Sequence, residues 1–366
     1  MNSCVYNLTI LDSLSDLRDN SKAWDDLWYR SPVATPLARA ECIAQWVSHF
    51  YPDSKFYAIV VKKGECFLAA LPVIETVKAK FISTGMNPSN AWSMCGEFLI
   101  VHGDDFETVM DVFVSGLRGL PFSILWFDYL RMNEPQWMVF REALKNNRIP
   151  SHWLPRYSVG VVPVQGDFNT LSGTWKKSQI QRIRKKISKF YEPQSYQFKL
   201  FENTEDLQEM LPKCIHLEHL GWKGRHGGSI VKRNMEYFFN IQSQILAKYG
   251  AMRLFTLWIN DNLIAYKYCF FSKNCFYSLK TSYHPDYAKF SPGQVLQYLI
   301  FQSISSGESS FKFDFVGELN DNQKIWNTDE SVCGQVVIPI SSIFGKIFFM
   351  IYNLIMPIIR KYKIFY

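Results

Sequence analysis

No Cys-x-x-Cys pair occurs among the eight cysteines, which stand at 4, 42, 66, 95, 214, 269, 275 and 333. That excludes a paired-thiol zinc module and gives no disulfide framework; the scatter reads as free thiols in a reducing compartment. The start, Met1-Asn-Ser-Cys-Val-Tyr6, lacks a charged stretch leading into an apolar core, so no secretory signal is expected and the chain is read as cytoplasmic. Low-complexity segments and short-period repeats are missing too, which excludes solenoids. With 48% apolar and only 20% charged residues, the composition excludes a disordered chain.

What is present is enough chain for two cores, 366 residues. The formal charge is +7. Much of that excess lies in Trp175–Lys189, which holds seven basic residues and no acid. Arg182 and Lys186 fall at i and i+4 there. The run reads as a solvated helix face or as a phosphate-binding rim for a nucleotide-linked sugar, coenzyme A or a lipid headgroup. No nucleic-acid motif accompanies it, so nucleic acid is not an expected partner. Residues 343–363 are very apolar but are interrupted by Lys346, Asn353 and Pro357. A spanning helix needs about 20 apolar residues. The open readings are a terminal helix docked on its own protein, and peripheral contact with the inner membrane face through 343–363.

The layout occurs twice. Residues 56–74 read as two strands around Lys63-Gly64, and residues 252–271 as two strands around Asn260-Asp261. Helical periodicity precedes each hairpin. A third strand, a loop, a helix and a Phe-Asp strand follow each, at Ile124–Leu130 and Phe311–Val316. The expected class is α/β (α+β): two similar domains, 1–163 and 164–340, each a mixed, mostly antiparallel sheet flanked by helices. An apolar helix, 341–366, follows them.

Ser291-Pro292-Gly293 sits between the strand ending at Lys280 and the Phe311–Phe315 strand. Ser as N-cap and Pro at the first helical position predict a helix start whose amides face an anion. A capped helix with no ligand is the plainer alternative. Asp314 alternates with Phe311, Phe313 and Phe315. It is read either as a desolvated general base or as a structural carboxylate. Glu218 is the second base candidate, against a solvated helical acid. Lys280 and Lys324 are candidates to clamp a phosphate or orient an acid. His284, Tyr283 and Tyr287 are candidate acids for a leaving thiolate. His216, His219 and His226 lack a third ligand of suitable spacing, so no metal is expected. Cys269 and Cys275 read as buried, inert thiols.

Glu218-His-Leu-Gly-Trp222-Lys223-Gly224, Lys280-x-x-Tyr283, Ser291-Pro292-Gly293, Asp314-Phe-Val-Gly317 and Lys324-x-Trp326 together resemble the GNAT acyltransferase superfamily. The pattern is similar to its CelD-type, polysaccharide-biosynthesis branch and to Fem-type double-GNAT transferases. The first half matches more loosely. The resemblance implies tandem GNAT-like domains and transfer from acyl-coenzyme A, as co-substrate, to the amine of an amino sugar, read as nucleotide-linked. The catalytic candidates are then Asp314, Glu218, Lys280 and His284. Ser291, Pro292, Gly293 and Gln294 would hold the coenzyme. Trp222, Lys223, Tyr283, Lys324, Trp326, Arg182 and Lys186 would hold substrate. Phe290-Ser-Pro-Gly293-Gln294 stands where the superfamily commonly carries Q/R-x-x-G-x-G/A, which leaves open which half seats the coenzyme. A parted sheet beside the Ser-Pro-Gly helix would supply an amide to polarise the thioester carbonyl. The rival readings are a Fem-like aminoacyl transferase acting on a peptidoglycan precursor, and a non-catalytic scaffold of a polysaccharide-export complex.

Overall fold

A computed structural model describes residues 6–79, 82–103, 105–305, 310–340 and 342–362. The chain divides into two compact units, Met1–Val33 with Leu37–Tyr157 and Val332–Tyr366, and Ala34–Pro36 with Ser158–Ser331.

The first unit opens with β1 (Asn7–Leu11), α1 (Leu14–Asp19), α2 (Ser21–Arg30) and α3 (Ala40–Phe50). Strands β2 (Phe56–Lys63), β3 (Cys66–Ala79) and β4 (Ile82–Met86) follow. Next come the short pieces β5 (Ser89–Asn90), β6 (Ser93–Met94) and β7 (Leu99–Ile100), then α4 (Phe106–Leu117), β8 (Ile124–Arg131) and α5 (Pro135–Asn146). β1 to β4 pair antiparallel in sequence order, and β4 pairs β8 in parallel through Thr84–Ile124 and Gly85–Leu125. Val61, Leu71 and Val73 meet Phe113, Phe127, Trp137 and Phe140 in the core.

The second unit contains β9 (His152–Val164) from Ser158 onward, α6 (Phe168–Gly173), α7 (Lys177–Lys186), β10 (Gln197–Phe201), α8 (Thr204–Leu220), α9 (Trp222–Arg225) and α10 (Glu236–Lys248). β11 (Met252–Ile259), β12 (Asn262–Ser272), β13 (Cys275–Tyr283), α11 (Pro292–Ile304), β14 (Phe311–Glu318) and α12 (Asp321–Lys324) complete it. β10 to β13 pair antiparallel and β13 pairs β14 in parallel. The β11–β12 turn holds Asn260 and Asp261 at φ 47° and 63°, left-handed geometry that suits a two-residue hairpin and that Asn and Asp accept readily. The tandem layout expected from the sequence is therefore present: four antiparallel strands, then a parallel one, in each unit.

The units do not follow the expected division at 163/164. The first unit takes its last strand from beyond the end of the second, and the second unit begins at Ser158, within β9. Val159, Val161, Val162, Pro163 and Val164 of β9 pair with β14 in the second unit. β15 (Asp329–Pro339) pairs with β8 in the first, Val336 to Phe127 and Ile338 to Leu125. α13 (Ile343–Tyr362) follows β15 and also belongs to the first unit. Ladder hydrogen bonds, not chain order, set these boundaries.

Candidate active site

β13 and β14 run together for only three residue pairs, Cys275–Lys312, Phe276–Phe313 and Tyr277–Asp314. β13 then continues to Tyr283 and β14 to Glu318 without further mutual pairing among the described residues. The sheet thus parts at the carboxyl ends of two parallel strands, where open α/β sheets take ligands. Asp314 stands at the point of parting. It is 8% exposed, and the Val316 N–H donates to its Oδ1 at 2.6 Å. Val316 carries φ 62°, an outlier for a β-branched residue, and the β14–β9 register shifts between Asp314 and Glu318. Asp314 therefore fixes a bulge that turns β14 away from β13. Phe313 and Phe315, on either side of it, point into the core.

The first unit has the same opening, but it is bridged. The Asn87 side chain donates to Asp128 O at 2.9 Å and accepts from Asp128 N–H at 2.8 Å, which replaces the missing ladder bonds. Tyr129, φ 60°, is the counterpart of Val316. In register Phe127 is the last residue before the bulge, as Asp314 is in the second unit. The two Phe-Asp motifs are thus offset by one residue relative to the register shift of their strands. Asp128 instead pairs with Arg156 at 3.1 Å.

α11 begins beside the parting. Pro292 takes the first helical position as expected, but Ser291 does not cap the helix with its side chain. Ser291 lies at φ 54° and ψ 53°, so its Oγ turns from the helical amides to the Lys186 ammonium of α7. Gln294 N–H is spent on Ser291 O at 3.0 Å, and the Gln294 side chain reaches Asn322 at 3.3 Å. At Gly293 there is open space: a Cβ placed on it would meet only Tyr283, at 3.7 Å. No acid occupies the first turn of α11, whereas α4, in the same place in the first unit, starts with Asp105 and Glu107. Lys186 sits low on its proton affinity through burial and through Arg182, the cost of aiming a cation where an anion would repay it. Arg184 donates to Tyr298 Oη at 3.0 Å, and Arg182 is exposed beside Gln179.

The carboxyl end of α8 forms the other wall. Glu218 is 1% exposed rather than solvated. The Lys223 ammonium donates to its Oε1 at 2.7 Å and the Ile230 N–H to its Oε2 at 2.9 Å. The same ammonium donates to Thr281 O at 3.0 Å, tying this turn to β13. The turn needs glycine at 224, because a Cβ there would stand 1.7 Å from His219 O. Lys280 lies 5.5 Å from the Phe239 ring centre. Burial first, then the Lys223 charge, brings its ammonium down to about 8, against the pull of Glu218. Tyr266 Oη is buried with no hydrogen-bond partner among the described residues, and burial and the Glu218 charge push its proton affinity up.

Lys267 escaped the sequence reading. It is 5% exposed, with its ammonium 5.4 Å from the Phe315 ring centre and 6.0 Å from that of Phe313. Burial lowers it to about 8. The signal was a lysine inside Ile264-Ala-Tyr-Lys-Tyr-Cys-Phe-Phe271, a run otherwise read as core.

The remaining candidates separate. Trp222 and Tyr283 are exposed at this end. His284 is half-buried and its Nδ1 accepts from Asp286 N–H at 3.3 Å. Lys324 pairs with Asp321 on the surface at 3.1 Å. Trp326 is 3% exposed and packs on Trp175 and Phe301 at 4.9 and 5.5 Å. His216 and His219 line a groove of about 570 Å³ with Glu236, Tyr237 and Asn240. Cys269 is held up at about 12 by burial, an inert thiol.

Residues 177–323 match the family model described as an acetyltransferase (GNAT) domain, wholly inside the second unit. The solved structure of FemX is similar over 92% of this chain and 98% of its own, at 12% identity and a TM-score of 0.61. A conserved protein of unknown function from Bacteroides thetaiotaomicron covers 92% and 100%, at 11% and 0.55. L-PGS from Bacillus licheniformis covers 91% and 96%, at 11% and 0.51. At these identities the likeness is one of fold. Compared by sequence with curated proteins, the chain has no match. The second unit carries a GNAT acetyltransferase domain over residues 177–323, and acyl transfer is the activity of that domain class. Acyl-coenzyme A is the general donor of that class.

Proposed function

We propose that the protein, a CelD-type enzyme of the cytoplasm, moves an acyl group from acyl-coenzyme A to the amine of a nucleotide-linked amino sugar used in surface polysaccharide. The observation that carries the reading is the parting of β13 and β14 at Asp314, beside an acid-free helix start that Lys186 reaches. Such a start suits a pyrophosphate. The bridged opening of the first unit, with Asp105 and Glu107 at its helix, suits one badly. This supports seating the donor in the second unit. The basic α7 supplies a rim for the remaining phosphates.

In a ternary complex the acceptor nitrogen attacks the thioester carbon. An N–C bond forms and the C–S bond breaks. The ammonium proton of the acceptor passes to Asp314 or to the Lys280 amine, and the departing thiolate takes a proton from His284 or Tyr283. Amide N–H groups on the free edge of β13 polarise the carbonyl, a contribution of about 10²–10³-fold. The Glu218–Lys223 pair orients the acceptor, and exposed Trp222 and Tyr283 offer faces for sugar or base. Lys324 and Arg182 are assigned to the acceptor's outer phosphates.

A Fem-like transfer of an aminoacyl group to a peptidoglycan precursor is the second reading, favoured by the near full-length likeness to FemX. Free-thiol release, measured with acetyl-, hydroxybutyryl- and longer acyl-coenzyme A against a panel of amino-sugar nucleotides, separates the two. Release that requires one amino sugar is expected. Asp314→Asn should lower turnover about 10²-fold or more with the fold kept. Silence with every acyl-coenzyme A would overturn the reading.

A further inference from the structure

We propose that α13 and the basic pocket beside its first turn form a docking surface for an anionic lipid bilayer. One side of α13 is committed to its own unit: Phe349 and Tyr352 pack on Val337, with Trp126 against Tyr352 at 5.2 Å. The other side is more apolar than a solvated helix face should be. Ile343, Phe344 and Leu354 are 70%, 70% and 72% exposed, and Ile347, Met350, Ile351 and Ile355 are open beside them. At 100° per residue these seven positions cover an arc of about 140°, a continuous stripe of the kind that marks an interaction surface.

Charge selects the occupant. The sequence from Ser342 to Tyr362 contains no acid. Lys346 flanks the stripe and lines a pocket of about 470 Å³ with Arg118 and Arg148. Leu117, Ile149 and Ile338 also line it, and among the described residues no carboxylate does. None of the three cations forms an ion pair among the described residues. A cationic pocket with apolar walls, continuous with an apolar stripe, matches a phosphate on an acyl chain, since arginine grips phosphate in a fork. Among the described residues no helix is long and apolar enough to cross a membrane, so the helix lies on the surface. A second copy would bring the same cations against themselves.

Co-sedimentation of the full chain with phosphatidylcholine vesicles, with and without about 30 mol% phosphatidylglycerol, tests the surface. Binding to the anionic vesicles is expected to exceed binding to neutral ones about tenfold and to fall with salt. Phe344→Ser with Leu354→Ser, and separately Arg118→Glu with Arg148→Glu, should each lower it at least about tenfold. All four side chains are exposed, and thermal unfolding followed by circular dichroism checks that each variant stays folded. Equal binding to both vesicles, or none, would overturn the proposal. So would a solution dimer that Phe344→Ser with Leu354→Ser dissociates, because the stripe would then be covered by a second copy.

Discussion

The carboxylate of Glu218 receives the ammonium of Lys223 at 2.7 Å, five residues further along the chain and past the end of α8. The pair is nearly dry on the acid's side, so it acts as a buried ion pair rather than a surface one. Glu218→Ala and Lys223→Met should each destabilise the fold by about 3 kcal/mol, read as a shift in urea midpoint at constant slope. The double change Glu218→Ala with Lys223→Met should cost less than the sum. Additive losses would show that the two charges do not sense one another.

Gly224 and Gly293 should respond in opposite ways to the same methyl. At 224 it would stand 1.7 Å from a backbone oxygen, and Gly224→Ala should lose at least about 2 kcal/mol. At 293 there is room, so Gly293→Ala should melt like the parent. A bulky Gly293→Trp, and Lys186→Glu, should raise the donor KM about tenfold or more with kcat far less affected. A donor KM that neither variant moves would take the donor away from the head of α11.

Lys267 should shape the pH dependence of stability. Its folded proton affinity, about 8, lies below the ordinary 10.5, so between those values the unfolded chain binds more protons and stability rises with pH. Below about pH 8 the buried ammonium costs up to about 3 kcal/mol. Lys267→Met should therefore be more stable than the parent at pH 7, with the gap closing towards pH 10. Chemical denaturation at the two pH values checks this, and a gap independent of pH would mean that Lys267 does not titrate in the folded protein.

Much of this was legible in the sequence because it is written in short-range rules. The hairpin turns at Gly64 and at Asn260-Asp261 follow from which residues accept left-handed geometry. The Pro292 start of α11 follows from helix-end chemistry. The Glu218…Lys223-Gly224 motif was visible as a pattern, but its burial was not, because solvation of a helical acid depends on what β13 and the 229–230 loop place over it. Ser291 looked like a side-chain cap, and only its backbone angles send the hydroxyl to Lys186 instead.

The sequence by itself determined the repeated order of elements and the GNAT-like second half, since periodicity and turn chemistry act over a few residues. Tertiary structure alone decided that β15 serves the unit formed by the first part of the chain. It also decided that the two Phe-Asp strands are one residue out of register, that one opening is bridged by Asn87 while the other parts at Asp314, and that Lys267 lies against two phenylalanines. Each depends on which strand lies next to which, and a ladder of hydrogen bonds between residues far apart in sequence leaves little trace in either strand taken singly.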